Sequence, residues 1–152
     1  MSYTNADARA QLVSELDRAA ERIGYALASL GEAYEWLDEQ TADRLEEELF
    51  RPVGAAYGRA KRTSAEFSER YDLPAHDLTQ TAPGGRPGDA RGAIVRASEA
   101  LRSADETLAT LQDSMLPVEV GDPEVRAGLM QIRESIGPLS GRARELLRIL
   151  GR

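Results

Sequence analysis

The chain has no cysteine and a single histidine, His76. Without cysteine there is no disulfide, no thiolate nucleophile and no thiolate metal site. One histidine is too few for a di-metal bundle, which needs a Glu-x-x-His pair on each of two helices. It is also too few for a catalytic zinc site with two or three imidazoles. Aromatic residues make up only 5% of the chain, and no apolar run is long enough to span a bilayer. The opening stretch MSYTNADARAQ has no basic flank followed by an apolar core, so no signal peptide is expected and the expected location is cytoplasmic. Lysine is nearly missing too: Lys61 stands alone among 19 basic residues, a bias of GC-rich bacterial coding.

Further chemistries fall away on spacing. The stretch GAAYGRAK (54–61) lacks the Gly-Lys-Ser/Thr ending of a phosphate loop and follows no strand. His76 beside Asp77 has the chemistry of a general base, but no nucleophile lies near it in sequence, and a loop histidine is more often incidental. The formal net charge of −7, with few aromatics between the arginines, argues against nucleic acid as a partner. The chain is therefore expected not to be an enzyme and to need no cofactor.

What is present is helix composition: abundant Ala and Leu within a 41% hydrophobic, 30% charged chain of 152 residues. Leu12, Leu16, Ala19, Ile23, Ala26, Leu30, Ala33 and Leu37 recur in steps of four and three, an amphipathic seam. Val13, Ala20, Leu27 and Tyr34 widen it. With Thr4 or Asn5 as cap, this predicts a first helix over 5–39. A second is predicted over 42–72, capped by Thr41 or Asp43, with the seam Leu45, Leu49, Val53, Ala56, Ala60, Thr63, Phe67 and Tyr71, and stopped at Leu73-Pro74. The stretch 74–88, rich in proline and glycine, reads as a flexible loop. Third and fourth helices are predicted over 89–115 and 123–150, the last opened by Asp122-Pro123. Four long helices with seams of one type predict a single all-α domain, an antiparallel up-down four-helix bundle in which the second and fourth helices are diagonal partners. A loop as long as 74–88 also permits a second half that crosses differently.

Two places break helical rules: Pro52 with Gly54 and Gly58, and Gly137-Pro138 with Gly141. The seams stay in phase through both, which predicts kinks at Pro52 and Pro138 rather than helix ends. Packing alone accounts for such kinks. Two functional alternatives are a strip of small residues that docks a second chain, and a mid-bundle cavity for a small apolar ligand. That cavity would involve Val53, Ala56, Tyr57, Ile136, Leu139 and Ser140 around the Pro52, Gly54, Gly58, Gly137, Pro138 and Gly141 region.

Charge supplies the other candidate site. Glu35, Asp38, Glu39, Asp43, Glu46, Glu47 and Glu48 crowd the first helix turn. In an up-down bundle they join Asp113, Glu119, Asp122 and Glu124 at one acidic end, opposite a basic end with Arg59, Lys61, Arg62, Arg70, Arg86, Arg91, Arg96, Arg142, Arg144, Arg148 and Arg152. This pattern predicts an acidic docking surface for a basic protein partner, or head-to-tail self-association. The spare apolar width of Val13, Leu27, Tyr34, Phe50, Tyr57 and Tyr71 points the same way, as does the apolar linker 116–120. The function expected from sequence is thus a non-enzymatic bundle acting through protein–protein contacts, as adaptor, assembly component or inhibitor. A binder of a small apolar ligand is the alternative. No membrane partner is expected.

Overall fold

The computed structural model describes residues 4–74, 76, 78 and 88–150. Most of the predicted loop, including Asp77, lies outside them. Helix α1 spans Asn5–Ala33. Of the two proposed caps, Thr4 serves. Its hydroxyl accepts the Asp7 N–H at 3.0 Å and the Asp7 carboxylate accepts the Thr4 N–H at 3.3 Å, so two otherwise orphaned donors are satisfied together.

The helix stops six residues short of the predicted 39, in a single 3-10 turn, Tyr34–Trp36. The reason is the next start. Asp38, not Thr41 or Asp43, caps α2 (Glu39–Leu45), accepting the Thr41 N–H at 2.7 Å from an extended backbone that α1 cannot run through. That hydrogen bond also holds the Asp38 carboxyl below its usual range.

From α2 the helix continues through a wider π turn, Glu46–Phe50, into α3 (Arg51–Arg70). This is how the chain absorbs Pro52. Proline brings no N–H for the preceding turn, and its ring crowds the carbonyl four residues back, that of Glu48. The wider turn relieves the crowding, with Arg51 N–H reaching back to the Glu46 carbonyl. The Glu48 carbonyl is taken instead by Arg142 from the last helix, at 3.2 Å. Helix α3 ends one residue after Glu69, with Asp72 in the left-handed region (φ 55°) and Leu73 N–H bonded to the Ser68 carbonyl at 2.8 Å. That is a helix stop in its own right, ahead of Pro74.

Asp89 caps α4 (Ala90–Asp113) and Asp122 caps α6 (Pro123–Ile136), with Pro123 at the first helical position as expected. The linker between them folds a short helix, α5 (Leu116–Glu119). At Pro138 the outcome is a short break: α6 gives way to α7 (Leu139–Leu150), although Gly137 keeps helical dihedrals and still bonds to the Arg133 carbonyl. After the break the partner changes. Helix α6 packs mainly on α3, whereas α7 packs on α4 and on the π turn.

All four long helical stretches pack around one core, and the class predicted from sequence, an all-α four-helix bundle, is the one observed. The helix directions differ from those of an up-down bundle. Arg70 meets Asp122, Arg59 meets Gln131 and Arg142 meets Glu48, so the second stretch (α2–α3) lies beside the fourth (α6–α7) and antiparallel to it. Arg96 meets Glu32 and Arg9 meets Val120, so α4 lies beside α1 and antiparallel to it. The order is therefore up, down, down, up. The second and fourth stretches are neighbours, and the diagonal pairs are α1 with α6–α7, and α3 with α4. The end of α3 and the start of α4 lie at opposite ends of the bundle. Leu73, His76 and Leu78 climb the groove between α1 and α3, His76 at the level of Asp17 and Leu78 at that of Tyr57. Burying that groove's apolar rim is what a long crossover achieves and a short hairpin turn does not.

Two glycines that the sequence pattern leaves unremarked fix the helix spacing. A Cβ on Gly24 would lie 2.8 Å from Tyr57 Cε1, and one on Gly128 would lie 2.6 Å from Thr63 Cγ2. These are the close approaches of α1 to α3 and of α3 to α6. Gly54 and Gly58, the expected strip for close approach, have only Leu27 Cδ1 at 3.8 Å and the flexible end of Arg62 at 3.2 Å beside them; Gly141 has nothing within 4 Å.

The ring of Tyr34 stacks edge-on with Phe50, centroids 5.5 Å apart, and its hydroxyl is buried without a partner. Burial, reinforced by Glu46 and Asp43 and opposed by Arg51, pushes its pKa up to about 12. A raised folded pKa means stability is intact below the ordinary tyrosine value of 10.0 and is lost as pH rises through the folded one. Thermal melts at pH 9 and 11 should therefore show a smaller alkaline drop for Tyr34→Phe than for wild type. At pH 7 the phenylalanine variant should be neutral to about 1 kcal/mol more stable, since it removes an unsatisfied buried hydroxyl.

Candidate functional site

The acidic turn is assembled as predicted from consecutive residues, and its side chains point outward. Glu35, Asp38, Glu39, Asp43, Glu46 and Glu47 are exposed, and Glu48 is half-buried against Arg44 at 3.3 Å. Trp36, 39% exposed, sits among them on the 3-10 turn. An indole there is unusual, because large aromatic rings normally go to the core or to an interface.

The larger polarity expected from sequence is not there. Asp113, Glu119, Asp122 and Glu124 lie at the opposite end of the bundle, where Arg70 binds Asp122 at 2.7 Å and approaches Glu124 at 3.5 Å. The acidic turn instead shares its end with the start of α4 and the end of α7. Arg96 reaches Glu32 at 3.1 Å there, Arg142 reaches the Glu48 carbonyl, and Arg91 reaches the Leu147 carbonyl at 3.1 Å. The up-down-down-up order carries these arginines to the acids, so unlike ends for head-to-tail stacking do not arise. The acidic surface is a patch around the turn, not an end of the molecule.

The predicted cavity residues split. Val53, Ala56, Tyr57, Ile136 and Leu139 are buried in the core, while Pro52, Gly54, Gly58 and Ser140 are half-buried and Gly137, Pro138 and Gly141 are exposed. The principal clefts are elsewhere, on the surface. Ser140 borders one of about 300 Å³ with Val95, Arg102 and Arg144 between α4 and α7. The wide apolar stripe goes to internal packing: Tyr34 meets Phe50, Tyr71 meets Phe67 at 4.7 Å and lies under Arg9, and Tyr57 covers Gly24.

A second site was missed. Asp17 on α1 is buried, 6% exposed, in the α1–α3 interface. One carboxylate oxygen accepts the Ser64 hydroxyl at 2.5 Å, and the other lies 2.6 Å from His76 Nδ1. A carboxylate only accepts, so Nδ1 carries the proton and donates. His76 is thus an anchored residue and not an incidental loop histidine. The order Ser–Asp–His, with the acid in the middle, leaves the hydroxyl away from the imidazole and is not a nucleophile–base pair. Asp17 flanks the α1 seam, one turn from Val13 and from Ala20. That acid within an apolar stripe was the available signal. Clefts flank His76 and Leu78 on both sides. One of about 630 Å³ lies on the α3 side, lined by Lys61, Arg62, Ser64, Ser68 and Leu73 among others. One of about 380 Å³ lies on the α1 side, with Ser14, Arg18 and Glu21.

Among the described residues, no three His, Asp or Glu side chains are gathered as a metal ion requires. No described helix is long and apolar enough to cross a membrane. No protein-family model, curated protein or solved structure matches the chain.

Proposed function

We propose that the protein is non-enzymatic and acts through protein–protein contacts, as adaptor, assembly component or inhibitor, and that residues 34–48 form its docking surface for a partner with a basic face. The observation that carries this reading is Trp36, an exposed indole on the same turn of sequence as the exposed Glu35, Asp38, Glu39 and Asp43, with the turn braced by the Asp38 cap. Tryptophan inside a charged rim is the composition of an interface hot spot: the ring fills a pocket on the partner, and the carboxylates steer a basic surface onto it. The bundle supplies rigidity, because α1 and α2 hold the turn from both sides. The alternative, an apolar ligand at mid-bundle, draws no support from Val53, Ala56, Ile136 and Leu139, which pack in the core.

The test is capture from an extract of the native host at low and high salt, with wild type, Trp36→Ala and Glu35→Lys/Glu39→Lys as baits, alongside light scattering of each. A partner held by wild type should be bound about thirtyfold more weakly by Trp36→Ala, and its association should weaken with salt. Equal retention of the same partner by both variants would sink the reading.

A further inference from the structure

The Asp17–His76 pair joins a buried carboxylate to an exposed ring. The Asp17 side chain is 8% exposed and the His76 side chain 55%. One Asp17 oxygen accepts the Ser64 hydroxyl, and the other accepts Nδ1–H of His76 at 2.6 Å. With Nδ1 holding the proton, Nε2 carries the free lone pair of the ring. Among the described residues, none makes a hydrogen bond or an ion pair with Nε2.

This arrangement has a direction. A carboxylate on Nδ1–H fixes the tautomer and the ring, and it raises the basicity of the opposite nitrogen. Ser64, itself buried, holds the carboxylate in place from the α3 side. An imidazole activated in this way acts on a hydroxyl, on a metal ion or as a nucleophile itself. The Ser64 hydroxyl lies on the far side of Asp17 and is out of its reach. No further metal-ligating side chains are gathered around it among the described residues. What remains is nucleophilic attack by Nε2. The charge around the ring does not oppose an anionic electrophile. Arg18, Lys61 and Arg62 share the clefts beside His76 with Asp17, Glu21 and Glu69, so an incoming phosphoryl group meets no net negative charge.

We propose that Nε2 of His76 is a phosphoryl acceptor, a reversible modification site loaded by a donor that carries its phosphoryl group on nitrogen. The Nε2 lone pair forms a new N–P bond as the donor's own P–N bond breaks, and the donor nitrogen leaves with that electron pair as the neutral amine. Nδ1 keeps its proton throughout. The phosphorylated ring is therefore a cation, and the Asp17 carboxylate neutralises it. One N–P bond replaces another, so the transfer runs in either direction. The site is separate from the acidic turn and does not depend on it.

Phosphoramidate, the simplest such donor, tests this on the folded protein at about pH 8, where an ordinary imidazole is neutral. Wild type and an equal concentration of N-acetylhistidine react in one tube. Intact mass should show a single phosphoryl group on the protein. Phosphorus NMR should place it on Nε2 and not on Nδ1, whereas N-acetylhistidine is modified on both nitrogens. His76 should react about tenfold faster than N-acetylhistidine, the size of effect that a carboxylate behind an imidazole supplies. Asp17→Asn keeps the acceptor and removes the charge, and should react about tenfold more slowly than wild type. His76→Gln should take up no phosphoryl group. Modification on Nδ1, a rate no faster than that of N-acetylhistidine, or an unchanged rate in folded Asp17→Asn would overturn the proposal and leave the Asp17–His76 bond as a fastening contact only. The comparison with N-acetylhistidine uses no variant, so it decides the matter even if Asp17→Asn does not fold.

Discussion

Gly128→Ala should destabilise the fold by about 1–2 kcal/mol, although alanine is the better helix former. Propensity alone favours the change by about 1 kcal/mol. Packing decides the other way. The new Cβ would sit 2.6 Å from Thr63 Cγ2 and 2.8 Å from its Oγ1, closer than any real contact. Thr63 has no room to turn aside, because it is a buried β-branched residue whose hydroxyl bonds the Arg59 carbonyl at 2.8 Å. Helices α3 and α6 must move apart, and overpacking of this kind costs about 1–3 kcal/mol. The drop in melting temperature for a chain of this size should be roughly 2–8 °C. Thr63→Ala/Gly128→Ala should recover most of it, since the clashing atoms are gone. A double-mutant cycle by urea denaturation measures that coupling, and additive effects would show that the two helices are not spaced by this pair.

Asp122→Ala should cost about 2–4 kcal/mol. The side chain caps α6, accepting the Val125 N–H at 2.8 Å, and accepts from Arg70 Nε at 2.7 Å and Nη2 at 3.0 Å. A lost cap is worth about 1 kcal/mol. A charged hydrogen-bonded pair adds about 1.5–3, held to the low end because Arg70 is a third exposed. Burial by itself would raise the Asp122 pKa, but Arg70 and the Val125 N–H outweigh it and hold it below the ordinary 3.8. A lowered folded pKa gives stability that is present above the unfolded value and lost as pH falls through the folded one. Denaturation midpoints of wild type and Asp122→Asn should therefore converge below about pH 4. A gap that persists to pH 2 would assign the effect to packing and not to charge.

Some features of the molecule could be read directly because their cause is local. The seam of α1 from Leu12 to Ala33 is buried at every predicted position, and Thr4 and Asp122 cap where they were expected to. The π turn before Pro52 was not legible in the same way: the seam steps 45–49–53 are two fours in succession, but so are 63–67–71, where α3 has no wider turn. Across Pro138 the steps alternate, and there the helix breaks for two residues while the seam continues in phase. The acidic turn was likewise visible as a run of sequence.

The sequence by itself determined the helices, the buried face of each and the local charge of the 35–48 turn. Each of these depends on residues within one or two turns of one another, and periodicity and capping chemistry act at that range. Tertiary structure alone decided which helix lies beside which. Four seams of the same type are satisfied by more than one cyclic order, and the choice rests on contacts far apart in sequence: Gly128 against Thr63, Arg70 on Asp122, Arg9 on Val120. That choice brought Arg91, Arg96 and Arg142 to the acidic end and removed the charge polarity. It also drew His76 across the groove to Asp17, 59 residues away in sequence, and so made the clefts beside it.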